Sequence, residues 1–211
     1  MNENISKRNA LLAQKMIAAL ESRNMEAYYA ESKEEALKKA LELIPEGSVV
    51  SWGGSMSIGE IGLTQALHEG NYEVLDRDMY NTRDEKNDIA RKAFFCDYYL
   101  ASTNAISEDG ILVNIDGNAN RVAAIAFGPK NVLMIVGMNK VVKTEEDAMS
   151  RAKNIAAPIN AQRFGGTPCT VTGSCANCKS PTCICCQTLV TRFSLAPKRI
   201  KIILVNDELG F

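Results

Sequence analysis

Histidine and tryptophan occur once each in this chain of 211 residues. With one histidine, His68, a catalytic Cys–His pair has a single candidate, and His68 falls near the end of a predicted helix beside Glu69 and Gly70, where its position needs no further explanation. Long apolar runs are missing too. Stretches such as residues 132–136 and 200–205 are about a third of the roughly 20 residues needed to span a bilayer, which excludes a transmembrane helix. Residues 1–15 are polar and charged before they become amphipathic, so neither a signal-peptide core nor a cleavage site is present, and a cytoplasmic location is expected. Charge of one sign is also absent: 24 Lys and Arg stand against 25 Asp and Glu, a net charge of −1. Such a balance provides no bulk field for nucleic acid or acidic lipid, though it leaves room for a local pocket that takes one phosphate.

What is present reads as one globular domain over residues 1–211, with 46% apolar and 23% charged residues. Leu11, Leu12, Met16, Ile17 and Leu20 recur at three- and four-residue intervals and predict a first helix over residues 6–24. Ser32 and Glu35 have capping-box spacing ahead of Ala36, Leu37, Ala40, Leu41 and Ile44, and Pro45-Glu46-Gly47 closes that second helix. Strands are predicted at residues 48–52, 72–75, 98–102, 111–115, 131–137 and 199–206. Helices are predicted around residues 58–70, 83–95 and 144–157. Strands alternating with helices need crossover connections, so the fold class is α/β, a mostly parallel sheet flanked by helices. The composition shifts to small residues, cysteine and proline after Pro158, and residues 165–187 read as a Cys-rich insertion tied to the same domain.

Three segments carry chemical signals. Ser51 to Gly62 lies where a strand hands over to a helix, the place where backbone N–H groups attract an anion. Gly53 and Gly54 permit close backbone approach, and Ser55 and Ser57 supply hydroxyls. The segment matches neither the P-loop nor the dinucleotide fingerprint. Ser57-Ile-Gly-Glu60 is also a capping-box pattern, which would occupy both side chains and explain Glu60 without catalysis. Around the middle of the chain, polar turns containing Asn104 and Gly117, Asn118 and Asn120 flank an apolar segment, and tight turns alone account for most of these residues. Arg121 would sit in the first turn of a helix, disfavoured by about 0.3–1 kcal/mol unless an anion is near, so it is either an anion contact or a solvated arginine paired at the surface.

The third segment is the strongest signal. Six of the seven cysteines fall within residues 169–186, and Cys175-x-x-Cys178 could grip one metal from a tight turn. Thiolate ligation suits zinc or an iron–sulfur cluster, and spacing does not choose between them. A redox-active dithiol or free structural cysteines are the alternatives.

Taken in order, Gly53-Gly-Ser55 with Glu60-Ile-Gly62, Asn104-Ala with Glu108-Asp-Gly110, Asn114-Ile-Asp-Gly117 with Asn120-Arg-Val122, Phe127-Gly-Pro129, Gly137-Met-Asn-Lys140 and Thr172-Gly-Ser-Cys175-Ala-Asn-Cys178 resemble the LUD-domain family, the group that includes the lactate utilization protein C type. The resemblance implies a fold similar to the NagB/RpiA/CoA-transferase superfamily, with small phosphorylated or acyl-CoA-like ligands bound near strand ends. It implies a role in lactate oxidation beside iron–sulfur partner proteins, and metal ligation by Cys169, Cys175, Cys178 and Cys185, leaving Cys183 and Cys186 as extras. Ala119 departs from the pattern, standing where the family's turn has glycine, and no ferredoxin-type cysteine run is present. Three functions follow as expectations. One is a protein supporting lactate or organic-acid use, binding a small anionic metabolite beside a cysteine-bound metal or Fe–S centre. Another is an enzyme acting on a phosphorylated or CoA-linked molecule with Glu60 or Glu108 as catalytic carboxylate. The third is a metal- or redox-sensing module. Assembly into a homo-oligomer is left open.

Overall fold

The computed structural model describes residues 2–211. The chain opens with helix α1 (Glu3–Ser22), capped by Asn2, whose side chain accepts from the Asn4 N–H. Ala13, Met16 and Leu20 point inward as the spacing requires, whereas Leu11, read as part of the same stripe, is 72% exposed. Strand β1 (Glu26–Ala30) and helix α2 (Lys33–Leu43) follow. Ser32 Oγ accepts from the Glu35 N–H, while the Glu35 carboxylate reaches back to the N–H of Glu31, so the start of α2 is held from both sides.

Strand β2 (Val49–Trp52) runs into two short helices, α3 (Met56–Glu60) and α4 (Leu63–Glu69), then strand β3 (Glu73–Leu75). The single helix expected over residues 58–70 is thus broken at Gly62, which adopts the left-handed conformation that glycine tolerates (φ +78). Helix α5 (Arg83–Lys92) starts on a Thr82/Glu85 capping box and leads to strand β4 (Tyr98–Ala101). Strands β5 (Ala105–Ser107) and β6 (Leu112–Asp116), helix α6 (Asn120–Ala126) and strand β7 (Asn131–Gly137) complete the middle. Beyond β8 (Val141–Val142), helix α7 (Glu145–Arg151) starts on a Thr144/Asp147 capping box and passes through a π-helical turn, Ala152–Ala156, into α8 (Ala157–Ala161). Helix α9 (Pro168–Thr172) opens the cysteine segment, and strands β9 (Gln187–Thr191) and β10 (Ile200–Val205) end the fold.

Six strands form an all-parallel sheet in the order β1-β10-β7-β4-β2-β3. Its central strands are covered on both faces, which is why β4, β7 and β10 read as near-continuous apolar runs. One face packs Met16, Leu20 and Ile125 from α1 and α6; the other packs Ala36, Ala40, Leu63 and Leu67 from α2 and α4. A second sheet of four strands, β8-β5-β6-β9, sits beside it with both parallel and antiparallel pairs. Residues 111–115 belong to this second sheet, and β9 overturns the expectation that strand character returns only at residue 199. Among the described residues no helix is long and apolar enough to cross a membrane.

Candidate functional site

Strand β2 connects to β3 on one side of the sheet while β4 lies on the other, a switch point at whose carboxyl ends open α/β sheets form a crevice. A cleft of about 460 Å³ lies there. Its walls come from the turn after β2 (Gly54, Ser55, Ser57), the segment after β4 (Ser102 to Asn104), the turn after β6 (Asp116, Gly117, Asn118, Asn120, Arg121) and Lys140 after β7. Eight of the nine residues expected to bind an anion therefore line one space: Gly54, Ser55, Ser57, Asn104, Gly117, Asn118, Asn120 and Arg121. The ninth, Gly53, stands behind the wall. A Cβ there would lie 2.9 Å from Tyr99 Oη and 3.1 Å from Arg121 Cδ, so its lack of a side chain makes room for the arginine.

Arg121 lines the cleft, and it is not the solvated, surface-paired arginine that the sequence offered as the alternative. Its Nη1 donates to Asn114 Oδ1 (2.6 Å) and the Ser102 carbonyl (3.2 Å), and its Nη2 to Asn104 Oδ1 (3.0 Å) and the Ile115 carbonyl (2.5 Å). Both terminal nitrogens of the guanidinium have protein acceptors, and burial lowers its pKa. Asp116 accepts from the N–H groups of Arg121 and Val122 and so starts α6. Ala119, just before α6, has φ +65, the left-handed conformation that explains the glycine expected there.

The Ser57/Glu60 capping box does not form. Helix α3 begins after Ser55, which makes no side-chain cap, while Ser57 Oγ accepts from Lys140 Nζ and the Glu60 carboxylate accepts from the Gly210 N–H. Ser55 Oγ, by contrast, is buried with no hydrogen-bond partner among the described residues. Glu108 lies outside the cleft, bridged to Lys15 (2.9 Å) and Lys143 (2.8 Å), whose hydrogen bonds hold its carboxyl below the usual range. It is a surface ion pair. His68 pairs with Asp76 at 3.1 Å and packs edge-on to Trp52.

Lys140 is the functional residue that the sequence reading passed over except as part of a family run. It is 3% exposed, and Nζ donates to Ser57 Oγ (2.9 Å) and Ser102 Oγ (3.0 Å). Burial first, then the charges of Arg151 and Arg121, lower its pKa to about 7, with Glu60 opposing them weakly. Among the described residues no carboxylate forms an ion pair with it. Its place just beyond the carboxyl end of a central strand was the signal that could have found it. Arg77 and Arg163 add cationic groups to the same cleft.

A second cavity of about 350 Å³ adjoins the first, with Ile115, Cys183 and Ile184 common to both linings. Cys169, Cys175, Cys178 and Cys185 line it together with Cys183. The four expected ligands thus surround one space, joined by a thiol read from the sequence as an extra; Cys186 is exposed and outside that lining. Gly117 is what lets the segment dock, since a Cβ there would meet Ile184 Cα at 3.1 Å. The Cys183 and Cys185 sulfurs are 3.3 Å apart. Hydrogen bonding, chiefly from the Cys185 N–H, lowers the Cys183 pKa, while burial pushes Cys185 up to about 12. Among the described residues no three His, Cys, Asp or Glu side chains are gathered closely enough to hold a single metal ion. Thiolates are donors that suit zinc and iron–sulfur clusters alike, and this lining does not choose between them.

A six-stranded parallel sheet flanked by helices, with a cleft at its switch point, describes an α/β protein of the open-sheet kind. The sequence matches the LUD domain over residues 13–205, and the chain belongs to the LUD-domain family. No curated protein matches it in sequence. Its fold is similar to that of a DUF162 family protein from Deinococcus radiodurans (TM-score 0.55, 13% identity, covering 93% of this chain and 98% of that one). Weaker likenesses are to ribose 5 phosphate isomerase A from Neisseria gonorrhoeae (TM-score 0.36, 16% identity, 54% of each chain) and eIF2B delta from Chaetomium thermophilum (TM-score 0.33, 16% identity, 68% and 57%).

Proposed function

We propose that this LUD-domain protein binds a small anionic metabolite in the switch-point cleft and serves the use of lactate or a related organic acid. The observation that carries the reading is Lys140: a buried amine at the cleft floor, flanked by Arg121 and Arg151 and lacking a carboxylate partner among the described residues. An uncompensated buried cation is costly unless its charge is completed, and an anion entering the cleft would complete it. The unpartnered Ser55 hydroxyl and Arg77 add a donor and a second positive group. Membership of the LUD family supports the lactate-related role.

Thermal melts of the full chain with lactate, a short oxo acid, inorganic phosphate and a sugar phosphate test the reading. An acid at 100 times its Kd adds about 2.7 kcal/mol, which for a chain of this size is roughly 5–10 °C. No stabilisation by any anion would remove the cleft from the argument. Stabilisation by the phosphate compounds alone would favour the enzyme acting on a phosphorylated or CoA-linked molecule.

The thiol-lined cavity supports a second component: an iron–sulfur cluster held by Cys169, Cys175, Cys178 and Cys185, through which the protein would work beside iron–sulfur partners of lactate oxidation. Such a cluster would supply one-electron transfer when bound, and Cys183 lines both this cavity and the cleft. Oxygen-free purification should give stoichiometric iron and acid-labile sulfide with visible absorption. Zinc instead, or no metal with all thiols titratable, would dismiss the cluster; a cluster without any anion binding would favour the sensing module.

A further inference from the structure

Electrostatic binding leaves the chemistry of the Lys140 amine unused. A solvated lysine is neutral in only about one molecule in a few thousand at pH 7. Lys140, with its pKa near 7, is neutral in about half. The charged groups around it are Arg151 and Arg121, which disfavour the ammonium, and Glu60, which favours it weakly and is itself hydrogen-bonded to Gly210. Nothing in the packing requires a lysine here: an apolar side chain of the same length would avoid the cost of desolvating a charge. The fold instead places this amine at the lining of a cleft, with two hydroxyls within 3.0 Å. Desolvation beside other cationic groups is one of the ways in which proteins turn a lysine into a nucleophile.

We propose that Lys140 forms an imine with the carbonyl carbon of a small oxo acid whose carboxylate is held by Arg77 and Arg163. This rests on the reading of the cleft as an anion site and deepens it. The Nζ lone pair forms the N–C bond as the carbonyl π pair moves onto oxygen. A proton passes from nitrogen to that oxygen through the Ser57 or Ser102 hydroxyl, which accepts from Lys140 in the resting arrangement and is able to donate in turn. Expulsion of the oxygen as water, taking the second proton that the nitrogen carried, leaves the neutral imine. One water is released per carbonyl consumed, and no oxidant or reductant takes part.

The test is reductive trapping of the full chain with pyruvate and borohydride, read by intact mass and peptide mapping. One adduct per chain is expected, on Lys140, forming faster as pH rises through 7 and missing in both K140R and K140M. Removing both hydroxyls, in S57A/S102A, should slow adduct formation about 10²-fold. Adduct spread over surface lysines and undiminished in K140R would overturn the proposal. So would stabilisation by pyruvate with no adduct, which leaves the anion reading intact; no adduct together with no stabilisation by any of the anions tested would remove both.

Discussion

The two cavities at the carboxyl end of the main sheet share a wall, yet the protein treats their reactive groups in opposite ways. Around the cleft, Lys140 and Arg151 are buried and Arg121 is half-buried, and all three are fixed by named acceptors: Asn104, Asn114, the hydroxyls of Ser57 and Ser102, and backbone carbonyls. Their pKa values are all lowered, and burial is the first cause of each. In the cysteine segment the donors sit on a looser loop, tied to the body by contacts such as Lys153 Nζ to Asn177 Oδ1 (3.0 Å), with Cys185 and Cys186 exposed. The difference separates two ways of building a site. Cations held by the fold make a preorganised electrostatic surface. Thiols gathered around a cavity supply ligands whose final geometry is set by whatever they bind.

The sharpest way to break this contrast is to remove the preorganised side. Arg121→Ala strips the partners from Asn104, Asn114 and two carbonyls within the fold, and about 3–5 kcal/mol of stability should go, a fall of roughly 10 °C in Tm. Loss of under 1 kcal/mol in denaturant melts would mean that the cleft floor is not held as described.

Lys140→Met probes the same floor with the opposite sign. The folded chain holds the Lys140 proton less tightly than the unfolded one, so between pH 7 and about 10 the unfolded state binds more protons and wild-type stability rises with pH. At pH 7, K140M should be the more stable protein by about 2–4 kcal/mol, allowing for two lost hydrogen bonds, and that advantage should shrink toward pH 10. Denaturant melts at both pH values decide it: a K140M advantage independent of pH would point to packing alone. The smallest effect expected is at the turn before α6, where Ala119→Gly relieves a left-handed alanine and should add about 0.5–1 kcal/mol. Destabilisation by glycine there would show that the turn carries no strain.

Much of this arrangement was legible before the structure. Strands β4, β7 and β10 announce themselves because parallel strands covered on both faces must be apolar throughout. Strand β1, Glu-Ala-Tyr-Tyr-Ala, has a mixed burial pattern and was missed, as was β9, whose partner β6 lies some seventy residues earlier and leaves no local trace. The glycine, serine and asparagine positions of the cleft could be read because strand-end turns demand those residue types. For Lys140 the sequence offered only its place beyond the end of β7. A lysine letter carries no sign of burial, and its special character arises from Ser57, Ser102, Arg121 and Arg151, brought together only by tertiary packing. The same limit applied to Cys183, whose place in the shared wall depends on Gly117 admitting Ile184.

Calorimetric titration of the full chain with lactate at pH 6 and pH 8, each in two buffers of different ionisation enthalpy, addresses the cleft most directly. An anion seated against Lys140 raises its pKa, so binding should take up close to one proton at pH 8, where the amine is mostly neutral, and almost none at pH 6, where it is already charged. Heat that is independent of buffer at pH 8, or uptake that persists in K140M, would contradict the assignment of Lys140 as the group that meets the anion.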